Sequence, residues 1–460
     1  MRNRRKQKSK KKPIFIIIFF LFLVGAGYVY TAPEFEREKP KIQSSLNIFW
    51  NKKDPIEINI SDNRGLKNYE IVINDGTKSV TVDQGYFDIR REEKRLLVHY
   101  PKGEMLDSKA TRLVLEISVT DTSRWNMFQG NKSIKTLDVI VDNKRPNVNV
   151  VSNSYSITQG GTALVVFQAS DENMDELYIQ AGGKRFQAQP YQKERYYASL
   201  VAWPFDQTDF SAKIIAIDKA KNRRSVDIPF YLKPKTYRVS WIKVKDSFLD
   251  GKIAELASNC HSDVKLDNKL DKLRAVNETM RLKNEDKIYK ISKNISKEIL
   301  KRWKVKRFYP LRNGAKVASF GDKRHYYYGE KENEVSQSYH VGYDLASTKM
   351  APIRTSNDGK VVYAEENGIY GNMPMIDHGL GLYSLYGHCS EILVKEGDMV
   401  KAGEIIAKTG ASGLALGDHL HFGILVQGIA VRPVEWFDAR WIQTNIDNVF
   451  KEADRVIFAK

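Results

Sequence analysis

The stretch "HVGYDLA", residues 340–346, predicts the fold of the last third of this chain together with "GDHLHFGIL", residues 417–425. Both stretches alternate in the way that is typical of β-strands, whose successive side chains lie on opposite faces. In the first stretch His340 and Asp344 share one face, and Gly342 between them leaves room. We therefore expect two polar side chains to project from the same side of an extended segment.

The second stretch adds two histidines to a polar face. His419 and His421 lie on one side of the expected strand, whereas Leu420, Phe422 and Ile424 lie on the side that faces a core. A pair of histidines at this spacing is weak evidence for a metal site by itself. It gains weight from the polar residues of the first stretch.

The histidines are concentrated in this part of the chain, since five of the eight lie between positions 340 and 421. Catalytic zinc sites usually have three nitrogen or oxygen ligands from the protein and keep a fourth position open. His340, Asp344 and His421 fill that quota, and His388 and His419 remain as two imidazoles beside the open position. The chain has no HExxH sequence, so a zinc peptidase with a glutamate base on a helix is not indicated.

The order of the motifs resembles the lysostaphin/LytM family of zinc metallopeptidases, which hydrolyse peptide bonds in peptidoglycan. The resemblance covers roughly residues 308–437 and implies a small antiparallel β domain that binds one Zn²⁺ ion. By resemblance, the ligands are His340, Asp344 and His421, and the catalytic residues are His388 and His419, with the division between proton acceptor and donor left open. The motifs that carry it are "FGDKRHYYYG", "HVGYDLA", "IDHGLGLYSLYGHCS", "VKEGDMVKAGEIIAKTGASG" and "GDHLHFGIL".

The last motif departs from the sequence GPHLHFE that is frequent in this family. Asp418 stands in place of the proline, and Gly423 stands in place of the glutamate. Neither position is a ligand by resemblance. We expect these changes to affect the shape of the groove and the choice of substrate rather than metal binding.

The amino terminus combines a basic tail with an apolar run. Eight lysines and arginines lie in residues 1–12, and residues 14–30 carry no charge. At about 1.5 Å per residue the run spans roughly 25 Å, which is enough for a membrane helix. The positive-inside rule then predicts a cytoplasmic tail, a single-pass signal anchor at residues 13–31 in the inner (plasma) membrane, and export of the remainder to the periplasm or the cell exterior. A signal peptide cleaved near residues 24–26 is the alternative.

Composition limits the class of partner. The 74 basic and 56 acidic residues give a net charge of +18, of which the tail contributes eight charges. This excess favours an anionic partner such as a membrane surface or an acidic wall polymer, and dispersed basic residues on an exported chain argue against nucleic acid. The two cysteines, Cys260 and Cys389, are expected to be free thiols, with a bridge between them as the less favoured alternative.

Upstream of the motifs, short strands separated by turns predict two antiparallel β-sandwiches, residues 50–143 and 144–233, that resemble immunoglobulin-like domains. Residues 245–306 change to a helical period and predict an amphipathic connector. The peptidase-like domain then occupies residues 307–440, and residues 441–460 form a terminal helix. A plain spacer role is favoured for the upstream part, and the alternative is that it restricts access to the groove until a partner moves it.

The sequence therefore predicts a mainly β protein with a membrane anchor. What the resemblance implies is a zinc metalloendopeptidase that hydrolyses peptide cross-links of peptidoglycan during remodelling of the cell wall. The rival interpretation is a non-catalytic relative that binds the wall or activates other hydrolases, with a protein partner. The complete set of five residues favours the enzyme, and the bond that is cut stays open.

Overall fold

The computed structural model describes residues 11–44, 48–103, 105–258 and 268–459. Cys260 lies outside the described residues, so its predicted state stays a prediction. The chain forms two compact units, of which the first comprises residues 1–144 with 219–222 and the second comprises the rest. The described chain is mainly β, as predicted.

An apolar helix, Lys11–Thr31, opens the described chain. Its segment Ile14–Thr31 is long and apolar enough to cross a membrane, and nearly all of its side chains are exposed. The hydroxyl of Thr31 donates to the carbonyl oxygen of Gly27 over 2.8 Å in the last turn. These features suit the predicted anchor, and they suit a signal sequence equally well.

The first unit contains a β-sandwich, in which a three-stranded and a five-stranded sheet share one hydrophobic core. In Ile56–Ser61 the isoleucines are buried and the residues between them are exposed, as strand periodicity requires. The strand Ile48–Trp50 pairs in parallel with Lys132–Val141, so the prediction of purely antiparallel sheets is wrong at this edge. Likeness to immunoglobulin domains stays a prediction. The strands are Lys41–Gln43, Ile48–Trp50, Ile56–Ser61, Leu66–Asn74, Ser79–Tyr86, Glu93–Val98, Arg112–Asp121 and Lys132–Val141.

The second unit begins with another pair of four-stranded antiparallel sheets. Its core is continuous with that of the carboxyl-terminal domain: Phe167 and Trp203 belong to the same buried cluster as Phe422 and Trp436. This sandwich is therefore part of the scaffold that supports the carboxyl-terminal domain. Its strands are Asn147–Asn153, Ser156–Thr158, Thr162–Ser170, Met174–Ala181, Lys184–Gln187, Gln189–Pro190, Tyr196–Ala202, Ala212–Asp218, Arg223–Asp227 and Tyr231–Lys233.

A buried carboxylate joins this sandwich to the carboxyl-terminal domain. Glu435 accepts a hydrogen bond from the backbone N–H of Thr162 over 3.0 Å and lies 3.3 Å from the guanidinium of Arg432. Gly161 allows this approach, because a Cβ there would lie 2.3 Å from a carboxylate oxygen of Glu435. Burial raises the pKa of Glu435 to about 7, and Arg432 offsets only part of that effect.

The stability of the second unit should therefore depend on pH through Glu435. A pKa that rises from 4.5 to about 7 on folding stabilises the fold below pH 4.5, and this contribution is lost as the pH rises to about 7. We expect the free energy of unfolding to fall by about 2 kcal/mol between pH 5 and pH 8, relative to Glu435→Gln. Denaturant unfolding of both proteins at the two pH values measures this difference, in which contributions from other groups cancel. If the difference in unfolding free energy between the two proteins does not change with pH, the pKa of Glu435 is not raised by folding.

The connector is helical for only part of its predicted length. Its last helix ends at Ser292, and the following chain is extended, with Leu300 bridged to Tyr191 of the second sandwich. The prediction of helix up to residue 306 is thus wrong, because backbone pairing with the sandwich replaces helical hydrogen bonds there. A strand, Val239–Lys243, precedes the helices and was not predicted. The helical segments are Asp246–Phe248, Leu249–Ile253, Ala254–Ser258, Lys269–Arg274, Ala275–Met280 and Arg281–Ser292.

The carboxyl-terminal domain is built on an eight-stranded antiparallel sheet. Helices after residue 432 pack against the second sandwich, where Tyr191 donates to Asp454 over 2.8 Å. These helices are Pro433–Trp436, Ala439–Ile442, Gln443–Asp447 and Asn448–Ile457. Two smaller sheets contain the remaining strands of the domain. All strands of the domain are Ala315–Ala318, Asp322–Tyr327, Glu334–His340, Tyr343–Ala346, Pro352–Arg354, Gly359–Glu366, Asn372–Asp377, Leu382–Gly387, Glu391–Ile392, Met399–Val400, Ile405–Lys408, Leu420–Val426 and Ile429–Val431.

Candidate active site

Residues 340–346 bend sharply instead of forming one strand. His340 ends the strand Glu334–His340, and Asp344 lies in the next strand, which belongs to a different sheet. The expectation of a single extended segment is wrong at Gly342, where a Cβ would lie 2.3 Å from the imidazole of His421. The glycine is thus needed for the histidine of the neighbouring strand to fit against the backbone, and the predicted room is present.

Three side chains converge at this bend. Oδ1 of Asp344 lies 3.0 Å from Nε2 of His340 and 2.9 Å from Nδ1 of His421, and the two nitrogens are 3.1 Å apart. Asp344 and His421 are direct cross-strand partners, so sheet register sets their separation. The Nδ1–H of His340 donates to the carbonyl oxygen of Ser319 over 2.9 Å, which leaves Nε2 for the cluster.

The donor set suits a divalent metal of the zinc type. Two imidazole nitrogens and a carboxylate oxygen are common zinc ligands, and tetrahedral bonds of about 2.05 Å separate donor atoms by about 3.3 Å. The observed separations of 2.9–3.1 Å are within a few tenths of an ångström of that value. Burial raises the pKa of Asp344, but its contacts with the imidazoles of His340 and His421 outweigh that effect and hold the pKa well below its usual range. The carboxylate is thus in the form that binds a cation.

Two further histidines lie beside this cluster. Nδ1 of His388 lies 2.8 Å from the carbonyl oxygen of Ser412, and its ring centroid is 4.8 Å from that of His419. Nδ1 of His419 lies 2.8 Å from the carbonyl oxygen of Gly417, and Nε2 is 3.8 Å from Oδ2 of Asp344. Both rings are oriented by a backbone carbonyl, as is usual for functional histidines.

The electrostatic environment favours the neutral form of the rings of His388 and His421. Burial, with smaller contributions from the neighbouring rings of His421 and His419, lowers the pKa of His388 to about 3. Burial also lowers the pKa of His421 to about 4, against the raising effect of Asp344. Neutral imidazoles can bind metal or accept a proton.

A cleft of about 1160 Å³ contains all five residues. The strand Val239–Lys243 and the connector helices form part of its wall, so the connector is more than a solvated spacer. The acidic residues of the wall have partners: Asp322 accepts from Ser240, and Asp418 accepts from Thr409. The basic residues of the wall are Arg238, Lys243, Lys245, Lys252, Arg281, Lys316 and Arg324.

Two residues of this site were not found by sequence reasoning. Tyr370 is 4 % exposed, and its ring meets that of His421 edge-on at a centroid distance of 5.5 Å. Arg324 lies 4.0 Å from Oδ2 of Asp344. Tyr370 lies outside the quoted motifs, whereas Arg324 belongs to the motif "FGDKRHYYYG" but was not singled out. His378 is buried elsewhere, bonded to Asp358 and Ser384.

Two buried imidazoles and a carboxylate at the floor of a cleft, with two more histidines beside them, are the kind of arrangement that metal-dependent hydrolases use. Residues 338–433 match the model of Peptidase family M23. The chain therefore carries an M23 peptidase domain, as the resemblance to the lysostaphin/LytM family predicted.

Two curated relatives each match less than a quarter of the chain. The chain is 41% identical over 96 residues to "Peptidoglycan DD-endopeptidase ShyB" of Vibrio cholerae, which covers 21% of this chain and 22% of that protein. It is 37% identical over 107 residues to "Murein hydrolase activator NlpD" of Salmonella dublin, which covers 23% of this chain and 28% of that protein. The solved catalytic domain of the peptidase lysostaphin from Staphylococcus simulans is 30% identical and covers 27% of this chain and 92% of that domain, with a TM-score of 0.23. The chain thus spans about a fifth of the length of the curated peptidases that it matches.

Proposed function

We propose that this protein is a membrane-anchored zinc metalloendopeptidase that hydrolyses peptide cross-links of peptidoglycan. The observation that carries the proposal is the convergence of two imidazoles and one carboxylate within 3.1 Å of one another, with two more histidines in the same cleft. The M23 domain and its DD-endopeptidase relative support the substrate class.

Each residue has a proposed role. His340, Asp344 and His421 would hold one Zn²⁺ ion, which would supply Lewis acidity toward the scissile carbonyl and lower the pKa of water. His388 and His419 accept and donate the protons of the reaction, since both rings line the cleft beside the metal-binding residues. Their carbonyl partners hold Nδ1, which leaves Nε2 of each ring for the substrate side.

The cleft suits a peptide that carries free carboxylates. Seven basic side chains line it, and among its acidic residues Asp344 belongs to the metal site. Peptide stems with free carboxyl groups would be attracted to such a wall. Strand edges in the cleft can also pair with an extended peptide backbone.

The proposed location follows from the amino terminus. The helix Ile14–Thr31 would anchor the chain in the plasma membrane, with the basic tail on the cytoplasmic side and the domain beside the wall. A peptidase held there acts on the peptidoglycan next to the membrane.

A second candidate function is regulation of other hydrolases without catalysis. It is favoured by one observation, the similarity to a relative named as a murein hydrolase activator. The regulator interpretation requires no turnover by this chain. It also requires a partner hydrolase whose activity rises when the two are mixed.

The two functions are separated by digestion of defined cross-linked muropeptides. We expect the purified full-length protein, loaded with zinc, to convert cross-linked dimers to monomers, with a mass gain of one water per bond cut. The His99→Ala variant, which changes an exposed histidine outside the cleft, should behave like the unaltered protein. Absence of any product from the zinc-loaded protein, with stimulation of an added hydrolase, would overturn the enzymatic proposal in favour of the regulator.

A further inference from the structure

A second cavity, of about 380 Å³, adjoins the cleft under the connector helix Arg281–Ser292. The two cavities share Val341, Tyr370 and His421 as lining residues, so the second continues the first on the far side of His421. Its volume is within the range of small-molecule pockets. Nothing in the proposed chemistry uses this space.

The floor of this cavity is the sheet face that carries the metal-binding residues. His421, Gly423 and Leu425 alternate along one strand and lie on the same face. At about 3.3 Å per residue, Gly423 lies roughly 6.6 Å along the strand from His421. A group bound over Gly423 would thus belong to the substrate residue next to the bond that is cut.

Gly423 keeps this part of the floor open. A Cβ at this position would meet Leu385 at 3.4 Å and no atom closer, so the space above it is free of other groups. Ile288 of the connector helix faces the cavity from the opposite side and is 4 % exposed. The walls are therefore largely apolar, which suits the methylene groups of an aliphatic side chain.

One carboxylate inside the cavity has no hydrogen-bonded partner. Half-buried Glu285 makes no hydrogen bond or salt bridge to another residue in the described part of the chain; burial raises its pKa, and the charge of Arg281 offsets part of that rise. Arg281, one helical turn earlier, donates instead to the backbone and side-chain oxygens of Asn277. Next to it, Asp286 is paired with Lys290 at 2.6 Å.

The mouth of the cavity carries no strong charge of its own. Lys184 and Asp206 are both exposed, line the opening and have opposite signs, and the exposed Asp286, which also lines the cavity, is paired with Lys290. Glu285 is thus left as the charge that a bound group would meet inside. A half-buried carboxylate without a hydrogen-bonded partner favours a cation that brings its own hydrogen-bond donors.

We propose that this cavity is a substrate subsite for an aliphatic side chain that ends in a cationic amine, and that Glu285 selects for the charge. The proposal rests on the proposed function, because it places the amine on the residue beside the bond that is hydrolysed. A side chain of glycine would leave the cavity empty, and an acidic side chain would face Glu285 with a like charge.

The test uses the zinc-loaded full-length protein and a pair of cross-linked peptides that differ only in that the amine beside the scissile bond is free or N-acetylated. We expect kcat/KM to be about tenfold higher for the free amine, as for a hydrogen bond to a charged group. Glu285→Gln should remove most of this preference and leave hydrolysis of the acetylated peptide within about twofold. Asp286→Asn, one residue away on the same helix, is the matched control and should keep the preference.

The outcomes distinguish this proposal from the proposed function. Hydrolysis of both peptides with equal kcat/KM, or a preference that survives Glu285→Gln, would overturn the subsite and leave the peptidase intact. Equal loss of preference in Asp286→Asn would overturn the assignment to Glu285. If neither peptide is hydrolysed, equilibrium binding of the same pair to the full chain decides, and equal affinities would overturn the subsite.

Discussion

Replacement of His421 by alanine is expected to remove zinc and hydrolytic activity together. Nδ1 of His421 lies 2.9 Å from Oδ1 of Asp344 and 3.1 Å from Nε2 of His340, so it completes the donor set. Two ligands do not hold zinc in a site of this class. We expect zinc content to fall from about one ion per chain to below about 0.1, and hydrolysis to fall by about 10³-fold or more.

The measurement combines metal analysis of the purified variant with digestion of cross-linked muropeptides. His378→Ala is the matched control, because His378 is a buried imidazole of the same domain whose partners are Asp358 and Ser384. That variant should unfold at a lower temperature but keep its zinc and its turnover when folded. Zinc retained at one ion per chain in His421→Ala would show that the donor set is wrong.

The alternation of two short stretches located the site because it is a local property. Side chains two residues apart in a strand share a face, and pairing of Asp344 with His421 then follows from register. The bend at Gly342 was not predictable from alternation, since it depends on the ring of His421, which lies far along the chain. Local periodicity predicts on which face of a strand a side chain lies, whereas packing against residues distant in sequence decides where the strand bends.

The connector shows the same limit on a larger scale. The described residues of the connector are largely helical up to Ser292, but the chain beyond it is paired with the second sandwich through Leu300. The strand Val239–Lys243 lines the cleft because it pairs in parallel with Asp322–Tyr327, and parallel partners distant in sequence leave no local signal. The contribution of this upstream strand to the cleft could therefore be seen only in the structure.

Replacement of His388 by alanine is expected to have a different signature, in which zinc stays and turnover falls. The ring of His388 is held through Nδ1 by the carbonyl oxygen of Ser412, and its centroid lies 5.6 Å from that of His421, so it is outside the donor set. General acid–base groups contribute about 10²–10⁴-fold to rates, and kcat should fall by such a factor. We also expect the variant to keep about one zinc ion per chain and a KM within about threefold of that of the unaltered protein.

The comparison of His388→Ala with His419→Ala and with the double variant then tests whether the two rings act as a unit. If one ring accepts a proton and the other donates a proton in the same turnover, the loss of either ring blocks that turnover. The kcat of the double variant should then be little lower than that of the less active single variant. Ring centroids 4.8 Å apart on one wall of the cleft are close enough for both to reach the same reacting group. Losses that multiply in the double variant would show independent roles, and unchanged kcat in His388→Ala would remove that residue from the reaction.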